Sequence, residues 1–272
     1  MKKQTIKCIS KYTNLFVLLF VLAAFQNSKF VFIKSIPKTS VSFTTDNLGN
    51  AYIVAGNIVE KYSPEGNFLK SYSDNNLGKI SLLDANNPMK LLLFYEPFQQ
   101  MIILDNTLTP STDPIQFQSM GYNQISLLCS SHNNGTWIYD KQNAELIRFD
   151  QSFQKINQRG NVSQQLLTEI NPNFLIEKNN RVFLNDSTKG IFVFDIYGTY
   201  NKTIPLKGLY HFQIDNDLII FFKDGKMNSY NMKTLEEGKI SLPELQTLDA
   251  RTEKEKLYLL KQKSLDIYNV QK

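Results

Sequence analysis

Residues that form covalent cross-links or common catalytic centres are scarce in this sequence. Its 272 residues include 2 Cys and 2 His. Cys8 lies before the first long apolar run, which leaves Cys129 as the single thiol of the remaining chain and excludes an internal disulfide there. Packing must therefore hold the fold together, and Cys129, at the end of the apolar run Ile125–Cys129, is expected to be a small buried side chain.

Several motifs of known chemistry are also missing. The sequence has no Gly-x-Ser-x-Gly elbow that would present a nucleophilic serine, and no glycine-rich loop that would surround a phosphate. It has no proline- or glycine-rich linker, no low-complexity tract and no block of like charges. With 42% hydrophobic and 12% aromatic residues, the chain is predicted to fold as one large globular domain.

The excess of positive charge is confined to the N-terminus. Four of the 30 basic residues lie within residues 1–24, where there is no acidic residue, so the remainder has 26 basic side chains against 25 acidic ones. The four are Lys2, Lys3, Lys7 and Lys11. A nearly neutral body lacks the concentrated basic face that nucleic acid requires, so no nucleic-acid binding is expected.

The N-terminus has the pattern of an export signal. The lysine-bearing segment Met1–Asn14 leads into the uncharged apolar run Leu15–Phe25, and the polar residues Gln26–Ser28 follow. This run is shorter than the roughly 20 residues of a membrane-spanning helix, but it suits the apolar region of a signal peptide. We therefore predict that residues 1–28 are a signal peptide and that the protein is exported.

An uncleaved N-terminal anchor is the alternative to a signal peptide. The small residues Ala23 and Ala24 are followed by Phe25, and no A-x-A cleavage triplet is present. In both cases we expect the protein to contact a membrane only through this segment.

One phrase recurs six times: an apolar strand that ends in an aromatic residue or Leu and is followed by a turn residue. The strand-ending residues, separated by 42, 45, 45, 36 and 38 positions, are Tyr62, Leu104, Phe149, Phe194, Tyr230 and Tyr268. A period near 40 residues built from short strands is typical of a β-propeller. We predict an all-β fold, a six-bladed propeller of four-stranded antiparallel blades that occupies residues 29–272 as a single domain.

The sixth repeat has only three predicted strands, Thr247–Ala250, Lys256–Leu260 and Ser264–Tyr268. The β-prone run Phe30–Ile36 precedes the first blade and has no blade of its own. We predict that it supplies the outer strand of the last blade and closes the ring through main-chain hydrogen bonds, which removes an exposed sheet edge. The most helix-like stretch, Val162–Ile170, lies between blades three and four and could form a short helix or only a long loop.

The first repeat resembles an NHL-type propeller repeat. Asp46–Asn50 match its Asp-x-x-Gly-Asn turn, and Ile58–Tyr62 with Gly66 match its next strand and glycine turn. The resemblance covers most of residues 41–270, and it is closest in blade one and loosest in blades two and six. It implies the propeller scaffold but no chemistry, because propellers of this kind include binding modules, lyases and lactonases. The many Asn, Lys and Ile residues are also similar to those of exported propellers of bacterial envelopes, which implies a periplasmic or outer-membrane-associated location.

The repeats predict an acidic residue at the end of most inner strands. These residues are Asp46, Asp84, Glu177, Asp215 and Asp249, with Cys129 in the third blade. Such a ring could bind a hard cation such as calcium at one mouth of the central channel. The alternative is that each carboxylate caps a tight turn by accepting backbone N–H groups. We favour capping, so no metal or cofactor is expected and the five acids are only weak metal candidates.

Two other sets of residues give little indication of chemistry. A ring of turn-favouring residues follows the third strands: Ser63, Asp105, Asp150, Asp195, Asn231 and Asn269. His132 is predicted to lie in a turn, and His211 at the head of an inner strand could act as a general base, although no partner is identified. Two histidines in separate blades do not make a zinc site, which usually has three or four ligands.

We predict a monomeric, non-catalytic interaction or scaffold propeller of the cell envelope, with an envelope protein or polymer as partner. Recognition would fall on the insertions Asn106–Gly121 and Gln158–Asn173, because loops on a rigid scaffold carry most recognition, or on the aromatic residues Tyr95, Phe98 and Tyr122. The alternative is a metal-dependent propeller hydrolase or lyase, similar to lactonases, with an acidic channel mouth. No catalytic residue is identified for either function.

Overall fold

A computed structural model describes residues 29–39 and 41–271, which form six antiparallel sheets of four strands each. The chain begins with β1 (Lys29–Pro37). Blade one contains β2 (Ser42–Thr45), β3 (Ala51–Ala55), β4 (Ile58–Tyr62) and β5 (Phe68–Ser73). Blade two contains β6 (Leu82–Asp84), β7 (Leu91–Tyr95), β8 (Gln100–Leu104) and β9 (Ile115–Gln116). Blade three contains β10 (Ile125–Ser130), β11 (Thr136–Asp140), β12 (Glu145–Phe149) and β13 (Lys155–Asn161), and the short helix α1 (Val162–Leu166) follows it.

The remaining blades follow the same order. Blade four contains β14 (Phe174–Lys178), β15 (Arg181–Asp186), β16 (Gly190–Asp195) and β17 (Tyr200–Ile204). Blade five contains β18 (Gln213–Asp215), β19 (Leu218–Lys223), β20 (Lys226–Asn231) and β21 (Glu237–Ile240). Blade six contains β22 (Asp249–Glu253), β23 (Lys256–Leu260) and β24 (Ser264–Gln271), with β1 as its outer strand. The predicted six-bladed propeller is confirmed, and the predicted signal peptide lies outside the described residues.

Strand β1 completes blade six by pairing antiparallel with β24. Phe30 lies opposite Val270 and Ile36 lies opposite Leu265, so main-chain pairing joins the first described strand to the last. Ile36 is 4% exposed, and Ser35 Oγ donates a hydrogen bond of 2.5 Å to Asp266 Oδ1. The predicted role of Phe30–Ile36 thus agrees with the pairing, and the strand is slightly longer than expected.

The core lies between neighbouring blades, because each blade is covered on both faces. Trp137 of blade three packs in one cluster with Leu184 and Phe194 of blade four. Cys129 belongs to the same cluster and is buried, as predicted, and burial raises the pKa of its thiol well above the usual value. Coverage from both sides also explains why every residue of β7 and β8 is buried.

The strands alternate in direction, so the connections fall on two opposite faces. We call the crown face the side with the connections from each outer strand to the next inner strand and the turns between second and third strands. We call the turn face the side with the turns between first and second and between third and fourth strands.

Tight aspartate-capped turns dominate the turn face. Asp105, Asp150 and Asp195 each accept backbone N–H groups from the residues two and four positions later, at 2.8–2.9 Å. The turn interpretation of the second ring is confirmed at these positions. Asn269 is the exception, because it lies within β24 opposite Val31 rather than in a turn.

The stretch Val162–Ile170, expected to be a short helix or a long loop, forms a short helix at its start. The helix ends at Leu166, because Leu167 adopts a left-handed conformation with φ of 53°. The remaining residues up to Asn173 form an irregular connection to blade four. Among residues 29–39 and 41–271, the structure contains no helix with the length and apolar character required to cross a bilayer.

The contact between Ser35 and Asp266, which helps to close the ring, should contribute less stability at low pH. Burial alone would raise the pKa of the Asp266 carboxyl, but hydrogen bonds from Lys261 and Ser35 outweigh burial and lower it. Such a group stabilises the fold above its unfolded pKa of about 3.9, and the contribution is lost as the pH falls through the folded pKa. We therefore expect Asp266→Asn to be less stable than the wild type at neutral pH and to approach it below about pH 4. Urea midpoints measured from pH 7 to pH 2 test this, and parallel curves would contradict it.

Candidate interaction face

Four large apolar side chains project from the crown face with little cover. Leu167 is 92% exposed, Tyr210 79%, Leu245 94% and Leu248 61%. They lie in the connections that lead into blades four, five and six, at residues 162–173, 205–212 and 241–248. We call these four residues the crown patch. Apolar side chains grouped on one face of three consecutive blades are typical of an interaction surface, whereas single exposed apolar residues are common on any protein.

The local structure at Leu167 does not explain a leucine there. Helix α1 begins after Asn161, whose side-chain oxygen accepts the backbone N–H of Gln164 at 3.0 Å, and it ends at Leu167. Glycine or asparagine is usual at such a left-handed position, because a larger side chain is strained there. Leu167 is therefore neither stabilised by burial nor suited to its backbone conformation. A contact with a partner outside the chain would explain a leucine at this position.

The connections that carry the crown patch touch one another. The side-chain amide of Asn173 donates a hydrogen bond of 3.0 Å to the carbonyl oxygen of Tyr210. His211 Nε2 lies 3.2 Å from Asp249 Oδ2, across the boundary between blades five and six. Because Tyr210 precedes His211 and Leu248 precedes Asp249, these two crown-patch residues flank the same His–Asp contact. Asp249 is thus the partner of His211 that the sequence did not identify.

Only one of the three aromatic residues predicted to form a surface patch is well exposed. Phe98 is 45% exposed on the crown face. The prediction was wrong for Tyr95, which is fully buried at the end of β7 because blade two is covered on both faces. It was also wrong for Tyr122, which is half-buried and packs edge-on against Phe149 with ring centroids 5.7 Å apart.

The two predicted recognition insertions contribute differently. Gln158–Asn173 provides Leu167, although its first residues belong to β13 rather than to a loop. Asn106–Gly121 begins on the turn face, contains β9 and provides no crown-patch residue. Its first carbonyl, that of Asn106, accepts a hydrogen bond of 2.7 Å from Lys61 Nζ, which ties the segment to blade one.

The connections and turns of the two faces differ in charge. On the crown face, the lysines of the connections outnumber the carboxylates: Lys38, Lys79, Lys141, Lys189, Lys207, Lys261 and Lys263 against Asp74, Glu96, Glu169, Asp224 and Glu244. On the turn face, the order is reversed: Asp46, Glu65, Asp105, Asp113, Asp150, Asp217, Glu236 and Glu255 against Lys90, Lys233 and Lys254. The turn face is thus the more acidic of the two, so an acidic partner would be repelled from it more strongly than from the crown face.

The first two members of the predicted acidic ring cap turns. Asp46 is fully buried and accepts the backbone N–H groups of Leu48 and Asn50, both at 2.9 Å, and the Tyr52 hydroxyl at 2.8 Å. Asp84 accepts the backbone N–H of Asn86 at 2.9 Å in the same way, and its other carboxylate oxygen accepts the backbone N–H of Ser130 in blade three. Capping, the favoured interpretation of these two residues, agrees with these hydrogen bonds.

Glu177 also connects two blades. Its carboxylate, 7% exposed, accepts hydrogen bonds from Ser131 Oγ at 2.5 Å, His132 N at 2.9 Å and Trp137 Nε1 at 2.6 Å, all from blade three. His132 Nδ1 lies 2.8 Å from Glu177 Oε1. Arg148 Nε donates to Ser131 Oγ at 2.7 Å and extends the network. His132 lies in a turn, as predicted, but its turn is fastened to blade four.

The other two acids do not occupy equivalent positions. Asp215 ends β18 and is exposed, with its carboxylate contacting Asn216 Nδ2 at 3.0 Å. Asp249 was placed wrongly, because it begins β22 on the crown face rather than ending the inner strand. The hairpin between β22 and β23 turns at Lys254, which has φ of 54°, so Glu253 takes the position at the strand end. Among residues 29–39 and 41–271, no three His, Cys, Asp or Glu side chains converge in a way that could hold a metal ion.

The end of the channel carries cations as well as acids. Lys178, Arg251 and Glu253 line the same small cavity, and Arg251 Nε lies 3.4 Å from Thr45 Oγ1. Burial lowers the pKa of Arg251, which is half-buried in this cavity. Burial also raises the pKa of Glu253, against the opposing effect of Lys178 and Arg251. The channel mouth that the sequence predicted to be acidic therefore carries both positive and negative side chains.

No protein-family model matches the chain. Protein CFT1 of Debaryomyces hansenii is 25% identical over 168 residues, a stretch that is 52% of this chain but only 11% of that protein. The chain thus spans a small part of the length of the curated relative that it matches.

Solved propellers resemble the chain over most of its length. The WD40 domain of Neurospora crassa Pan2 has a TM-score of 0.62 at 9% identity and covers 91% of this chain and 98% of that one. Virginiamycin B lyase from Staphylococcus aureus has a TM-score of 0.61 at 9% identity, with 89% and 100% covered. BBS1N, solved in complex with ARL6, has a TM-score of 0.54 at 13% identity, with 90% and 98% covered. These similarities confirm the propeller fold that the NHL-type resemblance implied, and at such identities they show the fold alone.

Proposed function

We propose that this protein is an interaction propeller that binds a partner protein through the crown patch. The observation that supports the proposal is the exposure of Leu167, Tyr210, Leu245 and Leu248 on one face of a rigid ring. Covering one large apolar side chain contributes about 1.5–3 kcal/mol, so a partner that covers several of them gains a substantial driving force. The structure of BBS1N in complex with ARL6 supports the use of this fold for binding a protein.

Leu167→Gly is expected to weaken partner binding without destabilising the fold. We expect the free energy of unfolding to stay equal or to rise by up to about 1 kcal/mol, because glycine relieves the left-handed conformation and little packing is lost. Partner binding should weaken by about tenfold or more, because a large apolar contact is removed. Urea unfolding measures the first effect, and binding to the captured partner measures the second. Loss of stability together with unchanged binding would contradict the proposal.

A photo-cross-linking amino acid placed at Leu245 tests the face itself. We expect a discrete cross-linked species from position 245 in the native host, and we expect Leu167→Gly to reduce it. The matched control is Leu235, which is 64% exposed on the turn face and should give no such species. Equal cross-linking from both positions would show that the crown face has no special role.

We also propose that the protein acts outside the cytoplasm, with a protein or polymer of a bacterial cell envelope as its partner. The support is the lysine-bearing segment and apolar run at the start of the chain, with a polar segment before β1. We expect the N-terminus of the native protein to lie between Ala24 and Lys29, as determined by mass spectrometry of the purified protein. A native protein that retains Met1 would favour an uncleaved anchor.

A further inference from the structure

Beside the crown patch, the crown face has an open groove at the boundary between blades four and five, with a volume of about 450 Å³. Its apolar floor consists of Leu206, Leu209 and Phe221, which are 8%, 1% and 8% exposed. The groove continues directly into the crown patch, because Tyr210 follows Leu209 in the same connection. A segment that covers Tyr210 could therefore also enter the groove.

Three lysines, Lys207, Lys223 and Lys226, line this groove. Within the described part of the chain, none of them has a carboxylate oxygen within 4 Å, although Asp224 and Glu237 also line the groove. These lysines therefore leave positive charge available around the apolar floor.

Lys223 is the most informative of the three. Its side chain is half-buried, and its ammonium group donates a hydrogen bond of 2.8 Å to the carbonyl oxygen of Lys207. This bond fixes the ammonium at the wall of the groove and uses one of its three donors. An ammonium held in place by a carbonyl, with two donors remaining, is a favourable position for a carboxylate.

On the basis of the proposed function, we propose that the partner segment bound at the crown face is acidic and amphipathic. It would place a bulky apolar side chain on the floor of the groove and carboxylates on Lys207, Lys223 and Lys226. The excess of acid on the turn face favours the same orientation, because like charges repel such a segment from that face. The groove is open at its surface, which suits an extended peptide segment that continues across Tyr210.

A pair of fluorescent synthetic peptides of about ten residues tests the chemistry, since acidic and neutral sequences can be matched in apolar content. One alternates Asp or Glu with Leu and Phe, and the other replaces each acid by Asn or Gln. With the full chain, we expect the acidic peptide to bind about tenfold more tightly by fluorescence anisotropy, and its affinity should fall as salt is raised. Lys223→Glu with Lys226→Glu should weaken its binding by about tenfold.

The controls keep the test specific. Lys239→Glu changes an exposed lysine of β21 outside the groove and should leave binding unchanged. Lys223→Met removes the charge but keeps the aliphatic stem, so it should weaken binding even if the glutamate variant folds poorly. Equal affinity for both peptides, no detectable binding of either, or undiminished binding to the double variant would overturn the inference. In each of those cases, a cross-linked species from position 245 would still support the proposed function. The absence of that species would overturn the proposed function itself.

Discussion

Replacing Glu177 by alanine is expected to lower the free energy of unfolding by about 3–5 kcal/mol. The carboxylate accepts hydrogen bonds from Ser131, His132 and Trp137 of the neighbouring blade, and Trp137 is fully buried. Without the carboxylate, the buried Trp137 Nε1–H and the half-buried donors of Ser131 and His132 lose this acceptor, and an unpaired buried polar group is more costly than a bond is favourable. Chemical unfolding followed by Trp137 fluorescence measures both the stability and the integrity of this boundary.

Asp215→Ala provides the matched control. Asp215 ends the inner strand of blade five, much as Glu177 lies near the end of the inner strand of blade four, but Asp215 is exposed and its carboxylate contacts Asn216. We expect a change within about 0.5 kcal/mol, because exposed substitutions away from caps and cores have small effects. Similar losses in the two variants would mean that Glu177 does not join blades three and four as described.

The acidic ring illustrates how far a repeat can be interpreted from sequence. The repeat places Asp46, Asp84 and Glu177 in comparable positions, and the structure keeps that order along the chain. The sequence does not reveal that Asp84 caps a turn and also accepts the Ser130 N–H of blade three, or that Glu177 accepts donors of blade three. These roles depend on which donors the neighbouring blade presents. The position of Asp249 was missed for a local reason. A left-handed Lys254 makes the hairpin, and lysine gives none of the turn signal that glycine or asparagine would give.

The candidate site was the least predictable part of the molecule. Leu108 and Leu245 both lie in connections among polar residues, yet Leu108 is 2% exposed and Leu245 is 94% exposed. Hydrophobic periodicity identifies strands because their pairing repeats every second residue, but a connection has no such period. Exposure there depends on how the connection folds over its own blade. The crown patch could therefore be identified only from the three-dimensional structure, whereas the propeller could be predicted from the spacing of the repeats.

Removing β1 is expected to have the largest effect of any change considered. A chain that starts at Ser40 leaves β24 with an unpaired edge, opens the cluster that contains Ile36 and removes the Ser35 hydroxyl from Asp266. The loss should approach the whole stability of a domain, typically about 5–15 kcal/mol, so we expect non-cooperative unfolding or aggregation through the open edge. Differential scanning calorimetry and light scattering detect these outcomes.

Two comparisons identify the paired strand as the cause. A chain that starts at Lys29 retains β1 and should melt as one cooperative unit, because every strand of the ring is still present. Adding a synthetic peptide of Lys29–Pro37 to the chain that lacks β1 should restore cooperative melting, and a peptide with Ile36→Asp should not, because Ile36 is buried against the first blade. If the shortened chain melts cooperatively without any peptide, then main-chain pairing between β1 and β24 does not close this propeller. In that case the contacts between blades would hold the ring together without it.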